Sequence, residues 1–371
     1  MAWNELKDNF YVRAMEDSLK MIDKNLDTFV DRYPHVSQKN HYQGEKNDLW
    51  TASFFPGMCY LAYDITKDAT YLKHSEDYLD SFLNRIDRKI GISHDLGFLY
   101  TLSCVADYKL TKNEKANQIA RKAASELVKR YNEKGKYIQA WGDMGIGYPD
   151  VKIIIDTMLN LPLLYWMDEE PYVTIAKNHA KTAAKYLIRD DYTSFHTYLM
   201  NPETGEGVIG KTHQGYQDDS TWARGQAWAV YGFGLSYRYT KDSEFLEVAK
   251  KTAEVFISNL PNDFVPYWDF TFNDENPDVR DTSAAAIFCC GLLELQNYVE
   301  KEEAKRYQTI VDQIMNSLYE NYRVTQKPEA NGILGEGMYH RHDGVNECVI
   351  WGDYFYVEAI VRNLKKWEPY W

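Results

Sequence analysis

Apolar residues recur along the chain with helical spacing, and convincing strand alternation is scarce. The pattern predicts a first helix over about residues 3–33, with Phe10, Ala14, Leu19, Ile22 and Leu26 on one side. An apolar helix near 53–65 and an amphipathic one near 69–88 follow a polar loop. The alternation then repeats: apolar 94–110 before amphipathic 114–131, and apolar 151–167 before amphipathic 171–188. A helix opening at Asp218 and Asp219 and ending at Tyr239 precedes an amphipathic one near 243–260. Residues 282–299 and 302–322 make another pair, and a last helix runs from about Asp353 to Lys366.

Helices that are apolar all round must be buried, and amphipathic ones can cover them. Six inner helices ringed by six outer ones form an all-α (α/α)6 barrel, with the first helix closing the ring as the outer partner of the last. The rival is an open helical solenoid; the variable repeat length and long loops favour the closed ring. A recurring Tyr-x-x-Thr-Lys-Asp/Asn turn ends apolar runs at Tyr63–Asp68 and Tyr108–Asn113, with its Thr-Lys-Asp part again at Thr240–Asp242. It marks an internal repeat of roughly 45–70 residues. Nothing resembles a linker, so residues 1–371 are expected to form a single domain.

Residues 132–150, 190–217, 261–280 and 323–350 each join an outer helix to the next inner one, which puts these long loops on one face. Loops of this length inside a compact domain usually carry function. They hold Trp141, His196, His213, Gln214, Trp268, His340, Arg341 and His342.

Composition narrows the ligand. Aromatic residues make up 15% of the 371, with 30 Tyr and 10 Trp, which suits stacking on flat rings, sugars among them; an aromatic core is the plainer alternative. A net charge of −13 argues against nucleic acid and against an anionic membrane surface as partners. An anionic ligand then needs a locally positive pocket, from helix N-termini and a few Arg or His. The five cysteines are odd in number and lie in apolar runs, so they read as reduced, buried thiols. No secretory signal is evident and no apolar run approaches the ~18 residues of a membrane span, so a cytoplasmic protein is expected.

Inner helices repeatedly open on a reactive or ring-binding residue: Trp50, His94 with Asp95, Asp156, Trp222 with Arg224, Arg280 with Asp281, and Trp351 with Asp353. Asp156 follows three isoleucines in an apolar run. An unpaired carboxylate there is costly to bury, so desolvation would raise its pKa towards that of a general acid. The alternative is a structural Asp paired with Lys152 or an Arg. A helix cap explains Asp95 by itself, Asp281 reads as a cap, and Asp353 is open. Trp222, Arg224, Gln226 and Trp228 around one helix start suit a planar, polar, anionic ligand, unless Arg224 simply pairs with Asp218 or Asp219. Two carboxylates on facing inner helices are the general arrangement for glycoside cleavage. A metal site from His94, His196 and His213 lacks any recognised spacing, so none is expected.

The chain resembles the unsaturated glucuronyl hydrolases, glycoside hydrolase family 88. The resemblance runs from Arg32-Tyr33-Pro34-His35 to Trp351-Gly352-Asp353, through Ser93-His94-Asp95-Leu96-Gly97, Ile138-Gln139-Ala140-Trp141-Gly142, Ile153-Ile154-Ile155-Asp156, Thr212-His213-Gln214-Gly215 and Thr221-Trp222-Ala223-Arg224-Gly225-Gln226-Ala227-Trp228. The related unsaturated rhamnogalacturonyl hydrolases usually read Arg-Gly-Asn-Gly-Trp where this chain has Arg224-Gly225-Gln226-Ala227-Trp228, which points to the glucuronyl group. The resemblance implies an (α/α)6 barrel that hydrates the C4=C5 vinyl ether of a 4,5-unsaturated uronic acid on a lyase-generated oligosaccharide. It implies that Asp156 protonates C4 and then activates water, and that Asp95 is the second essential carboxylate. Trp50, His94, Trp141, His196, Gln214, Trp222, Arg224 and Trp228 match substrate-binding positions, with no cofactor and with a monomer or homodimer expected. Family members that take sulfated fragments carry a Ser/Lys-rich stretch before the Trp-Gly-Asp segment. Here it reads Met338-Tyr339-His340-Arg341-His342, so Arg341 and its flanking histidines are expected either to touch the +1 sugar or to be solvated loop. The other readings are an ordinary inverting glycosidase and a non-catalytic helical-repeat sugar-binding protein.

Overall fold

The computed structural model describes residues 9–371. In chain order, α1 (Phe10–Leu26) precedes α2 (Phe54–Thr66), and α3 (Ala69–Glu76) and α4 (Leu79–Asp87) precede α5 (Leu96–Tyr100). A π turn, Thr101–Val105, carries α5 into α6 (Ala106–Thr111), and α7 (Glu114–Leu127) follows. A 3₁₀ turn, Ile155–Leu159, leads into α8 (Pro162–Trp166) and then α9 (Tyr172–Leu187). The chain ends through α10 (Ala223–Thr240), α11 (Ser243–Ser258), α12 (Thr282–Leu295), α13 (Lys301–Ser317) and α14 (Ile350–Leu364).

The inner ring runs α2, α5–α6, the 3₁₀ turn with α8, α10, α12 and α14, and α14 packs back on α2 to close it. Every residue of α12 is buried, as are the first fourteen of α10, which is why both read as apolar all round. The outer layer is α1, α3–α4, α7, α9, α11 and α13, each burying one stripe against the ring. The chain is therefore the all-α barrel that the alternation predicts.

The recurring turn has one physical design in all three places. Lys67, Lys112 and Lys241 adopt positive φ and end their helices with backbone bonds to Tyr63, Tyr108 and Tyr237. Each lysine ammonium lies 5.3 Å from the ring centre of that same tyrosine. The next residue, Asp68, Asn113 or Asp242, caps the following outer helix. One six-residue signal thus stops an inner helix and starts an outer one.

Four boundaries differ from the periodicity. The expected first helix begins outside the described residues, and α1 stops at Leu26 because Asn25 is buried, donating to Asn331 O, while Phe29 turns into the core. The 69–88 helix breaks at Tyr78, which is buried with its hydroxyl donating to Phe29 O. The 94–110 run contains the π turn. The 151–167 run is not one helix: Lys152–Ile154 is a strand, and α8 starts only at Pro162. β-Branched residues at 153–155 favour the strand, and the proline lacks the N–H that a continuous helix needs.

The loops on the active face hold short antiparallel strands. They are β1 (Ser37–Gln38) with β2 (His41–Tyr42), β3 (Tyr131–Asn132) with β4 (Tyr137–Ile138), the sheet β5 (Lys152–Ile154), β6 (Thr197–Met200), β7 (Gly207–Lys211), and the hairpin β8 (Gly337–His340), β9 (Asp343–Glu347). Asp242 accepts from Glu244 N and lies 3.1 Å from Lys177, so Asp242→Ala should lower stability by about 1 kcal/mol. Urea unfolding measures this; an unchanged midpoint would show that the turn is not held by its cap.

Candidate active site

Strand pairing builds the site. In the β5–β6 ladder Ile154 faces Thr197, and Ile155 N donates to His196 O at 3.0 Å, which sets His196 beside Asp156. His94 N donates to Ala140 O and Ala140 N to Lys152 O, which draws Trp141 and the start of α5 to the same edge. Six of the expected residues, Trp50, His94, Asp95, Trp141, Asp156 and Gln214, line one open cleft with about 150 Å³ of room. That is less than a drug-sized ligand fills and suits one ring, with the rest of a ligand outside. Ile154, His213 and Tyr339 complete the wall.

Hydrogen bonds settle where the protons sit. His196 Nδ1 accepts from His213 N and Gln214 N, both at 3.0 Å, so its ring proton is on Nε2. Burial pushes its pKa well down, with His213, Arg224 and His94 adding to the effect, so the ring is neutral. Nε2 lies 3.7 Å from Asp156 Oδ2, and both atoms are buried without a hydrogen-bond partner. Burial first, and the nearby Asp95 charge second, push the Asp156 carboxyl up to about 7, against an opposing pull from Arg224. Asp156 can therefore hold a proton near neutrality and also give it up. Asp95 is not the helix cap that its position suggests. It makes no cap bond; its Oδ2 accepts from Ser93 Oγ at 2.9 Å and its Oδ1 lies 3.4 Å from His94 Nε2.

Burial pushes Asp353 up to about 7 as well, but its surroundings are different. Its carboxylate accepts from Tyr42 Oη, Ile333 N and Leu334 N at 2.8–3.0 Å, so its oxygens are taken up by the fold. Asp281 caps α12 through Ser283 N and Ala284 N, and also pairs with Arg224 at 2.5 Å. Asp218 and Asp219 are not that partner; Asp218 instead binds Lys211 and Thr212 N.

Four expected residues lie outside the cleft wall. His196 sits behind Asp156, packed on Trp222 with ring centres 4.3 Å apart and planes tilted by 41°. Arg224 is 1% exposed, lies over Trp222, and donates to Gln214 Oε1, Tyr339 O and Met338 O. Trp228 is fully buried between Phe98 and Phe355 in the barrel core. Arg341 is exposed over the Tyr216 ring. Periodicity gave no sign of Tyr339, which reaches the cleft only because β8 passes over Arg224. Among the described residues no three His, Cys, Asp or Glu side chains converge as a metal cage.

The family model described as Glycosyl Hydrolase Family 88 matches residues 21–369. The "Unsaturated chondroitin disaccharide hydrolase" of Streptococcus pyogenes serotype M1 is 40% identical over 369 residues, covering 97% of this chain and 92% of that protein. The "Unsaturated glucuronyl hydrolase" of Bacillus sp. (strain GL1) is 39% identical over 369 residues, covering 97% and 98%. The crystal structure of an unsaturated glucuronyl hydrolase from Streptococcus agalactiae superposes with a TM-score of 0.94 at 40% identity, over 97% of this chain and 93% of that one.

Amidation of the two aspartates should share one pH dependence, because burial raises both carboxyls, but differ in the hydrogen bonds it breaks. A carboxyl raised from about 3.9 in the unfolded chain contributes stability below that pH and loses it as pH rises through about 7. Asp156→Asn should thus gain on the wild type by about 2–4 kcal/mol between acid and pH above 7. Asp353→Asn presents an amide NH₂ to groups that can only donate, and should lose about 1–3 kcal/mol. Urea midpoints at both pH values test the pair: Asp353→Asn should lie below Asp156→Asn at each, and equal midpoints would contradict the contrast in their surroundings.

Proposed function

The chain belongs to glycoside hydrolase family 88, and we propose that it acts on disaccharides that a polysaccharide lyase leaves with a 4,5-unsaturated glucuronic acid at the non-reducing end. It releases that sugar by hydrating the C4=C5 vinyl ether. Glycosaminoglycan-type disaccharides fit best, because the relatives at about 40% identity over nearly the whole chain carry that activity in their names. The observation that carries the mechanism is a single one: Asp156 faces the cleft with a buried, unpartnered oxygen and a pKa near neutrality.

The protonated Asp156 delivers its hydrogen to C4. Positive charge then develops across C5 and the ring oxygen, where the Asp95 carboxylate stabilises it. The Asp156 carboxylate takes a proton from water as the water oxygen bonds to C5, which restores the acid. The resulting hemiketal opens to a ketone at C5 and leaves a hemiacetal at C1, which collapses to an aldehyde and the free second sugar. No glycosyl-enzyme bond forms. Trp50 and Trp141 offer flat faces to the planar unsaturated ring. Arg224 acts at one remove: its guanidinium holds Gln214 Oε1, which leaves the Gln214 amide N–H groups for the sugar carboxylate. The neutral His196 ring, 3.7 Å from Asp156 Oδ2, does not stabilise the Asp156 charge as an imidazolium would. No helix of the described residues is long and apolar enough to cross a membrane, and five free, buried cysteines fit a reducing compartment, so we place the enzyme in the cytoplasm.

With an unsaturated chondroitin disaccharide, the ultraviolet absorbance of the enol ether should disappear, with solvent deuterium entering at C4 and heavy oxygen from water at C5. Label at C1 instead would mean ordinary glycosidase chemistry. Asp156→Asn should lower kcat by about 10²–10⁴-fold with little change in KM, and wild-type kcat should fall as pH rises through about 7. Undiminished turnover by the variant would remove Asp156 as the acid. If Arg341 meets the second sugar, Arg341→Ala shifts the ratio of sulfated to unsulfated turnover; equal ratios in both proteins exclude it.

A further inference from the structure

Asp95 and Asp156 arrive from different inner segments, and one buried side chain bonds both segments. Asn160 is fully buried and closes the 3₁₀ turn that carries Asp156. Its Oδ1 accepts from Phe98 N at 2.6 Å, in the first turn of α5, just after Asp95. Its Nδ2 donates to Asp156 O at 3.2 Å and lies 3.4 Å from His94 Nδ1. Phe98 N can only donate, so the amide cannot be turned round. Nδ2 can only donate as well, so His94 Nδ1 is an acceptor and the His94 proton sits on Nε2. The Thr157 hydroxyl, 3.0 Å from the same Nδ1, is free to donate there too. The His94 Nε2–H then faces Asp95 Oδ1 at 3.4 Å.

Backbone contact enforces the same junction. A Cβ at Gly97 would lie 2.2 Å from Asn160 Cα and 2.3 Å from Asn160 O. Neither atom can move away without shifting the turn that bears Asp156. Only glycine lets the two turns meet closely enough for the amide to bond both.

We infer that Asn160 is a positioning residue for the hydration reaction: its one amide fixes how Asp95 and Asp156 are placed relative to each other, and it sets the His94 tautomer that puts the ring N–H on the side of Asp95. This rests on the reaction proposed above. Asparagine is required because the junction needs an acceptor on one side and two donors on the other. Aspartate supplies only acceptors, and leucine of similar shape supplies nothing.

Nitrogen-15 NMR of the histidine-labelled wild-type protein reads the tautomer without any variant; a His94 proton on Nδ1 would overturn the assignment. In Asn160→Asp the oxygen facing Phe98 N is kept, but the donor towards His94 Nδ1 becomes an acceptor. The proton of His94 should move to Nδ1, and kcat should fall about 10–100-fold with KM within about 3-fold, as for other groups that orient catalytic side chains. Gly97→Ala forces the turns apart without altering a polar group, so it should lower kcat with KM within about 3-fold. Folded variants that keep wild-type kcat and tautomer would refute the inference while Asp156→Asn is still inactive. A wild-type protein that leaves the enol ether untouched would instead remove the reaction, and the NMR result would stand apart from it.

Discussion

Desolvation of one carboxyl group is the constraint on which the rest of this structure depends. Asp156 sits where water is largely excluded, beside a neutral imidazole and a second carboxylate, and nothing donates to its Oδ2. An arrangement like that costs free energy, and it persists only where the surrounding fold leaves the side chain no alternative. The strand before Asp156 and the 3₁₀ turn that carries it are both pinned, one by the β5–β6 ladder and the other by Asn160.

The other buried charges near the cleft are treated in the opposite way. Arg224 is matched by Asp281 and by the carbonyls of the β8 hairpin, and Asp353 by three donors. At the far end of the barrel Arg362 joins Glu294 to Glu358, and Trp371 donates its indole N–H to Glu358. These pairs satisfy every charge they bury, as interior ions require. Asp156 is the exception, and the contrast separates a group kept for chemistry from groups kept for the fold.

Closure of the ring makes this possible. Six inner segments that pack on one another present their N-terminal ends to the same face, so residues far apart in the chain reach one cleft. A solenoid of the same helices would have spread Trp50, Asp95, Asp156 and Gln214 along a surface. The chain's excess of negative charge is offset locally by Lys152 beside Trp141 and by the hidden guanidinium behind Gln214.

The sequence by itself determined the helical alternation, and therefore the two layers, because burial on all sides or on one leaves a direct hydrophobic record. It also determined the inner-to-outer turns, whose Tyr, Thr, Lys and Asp each answer a local demand of a helix end. It singled out Asp156 because a carboxylate among isoleucines stands out in any window. Tertiary structure alone decided that Asp156 lies on a 3₁₀ turn after a strand, that Arg224 answers to Asp281, that Trp228 fills the core, and that Tyr339 joins the cleft. Those outcomes depend on which distant segments meet, and on which atoms are left without a partner when they do. Local periodicity carries no trace of either.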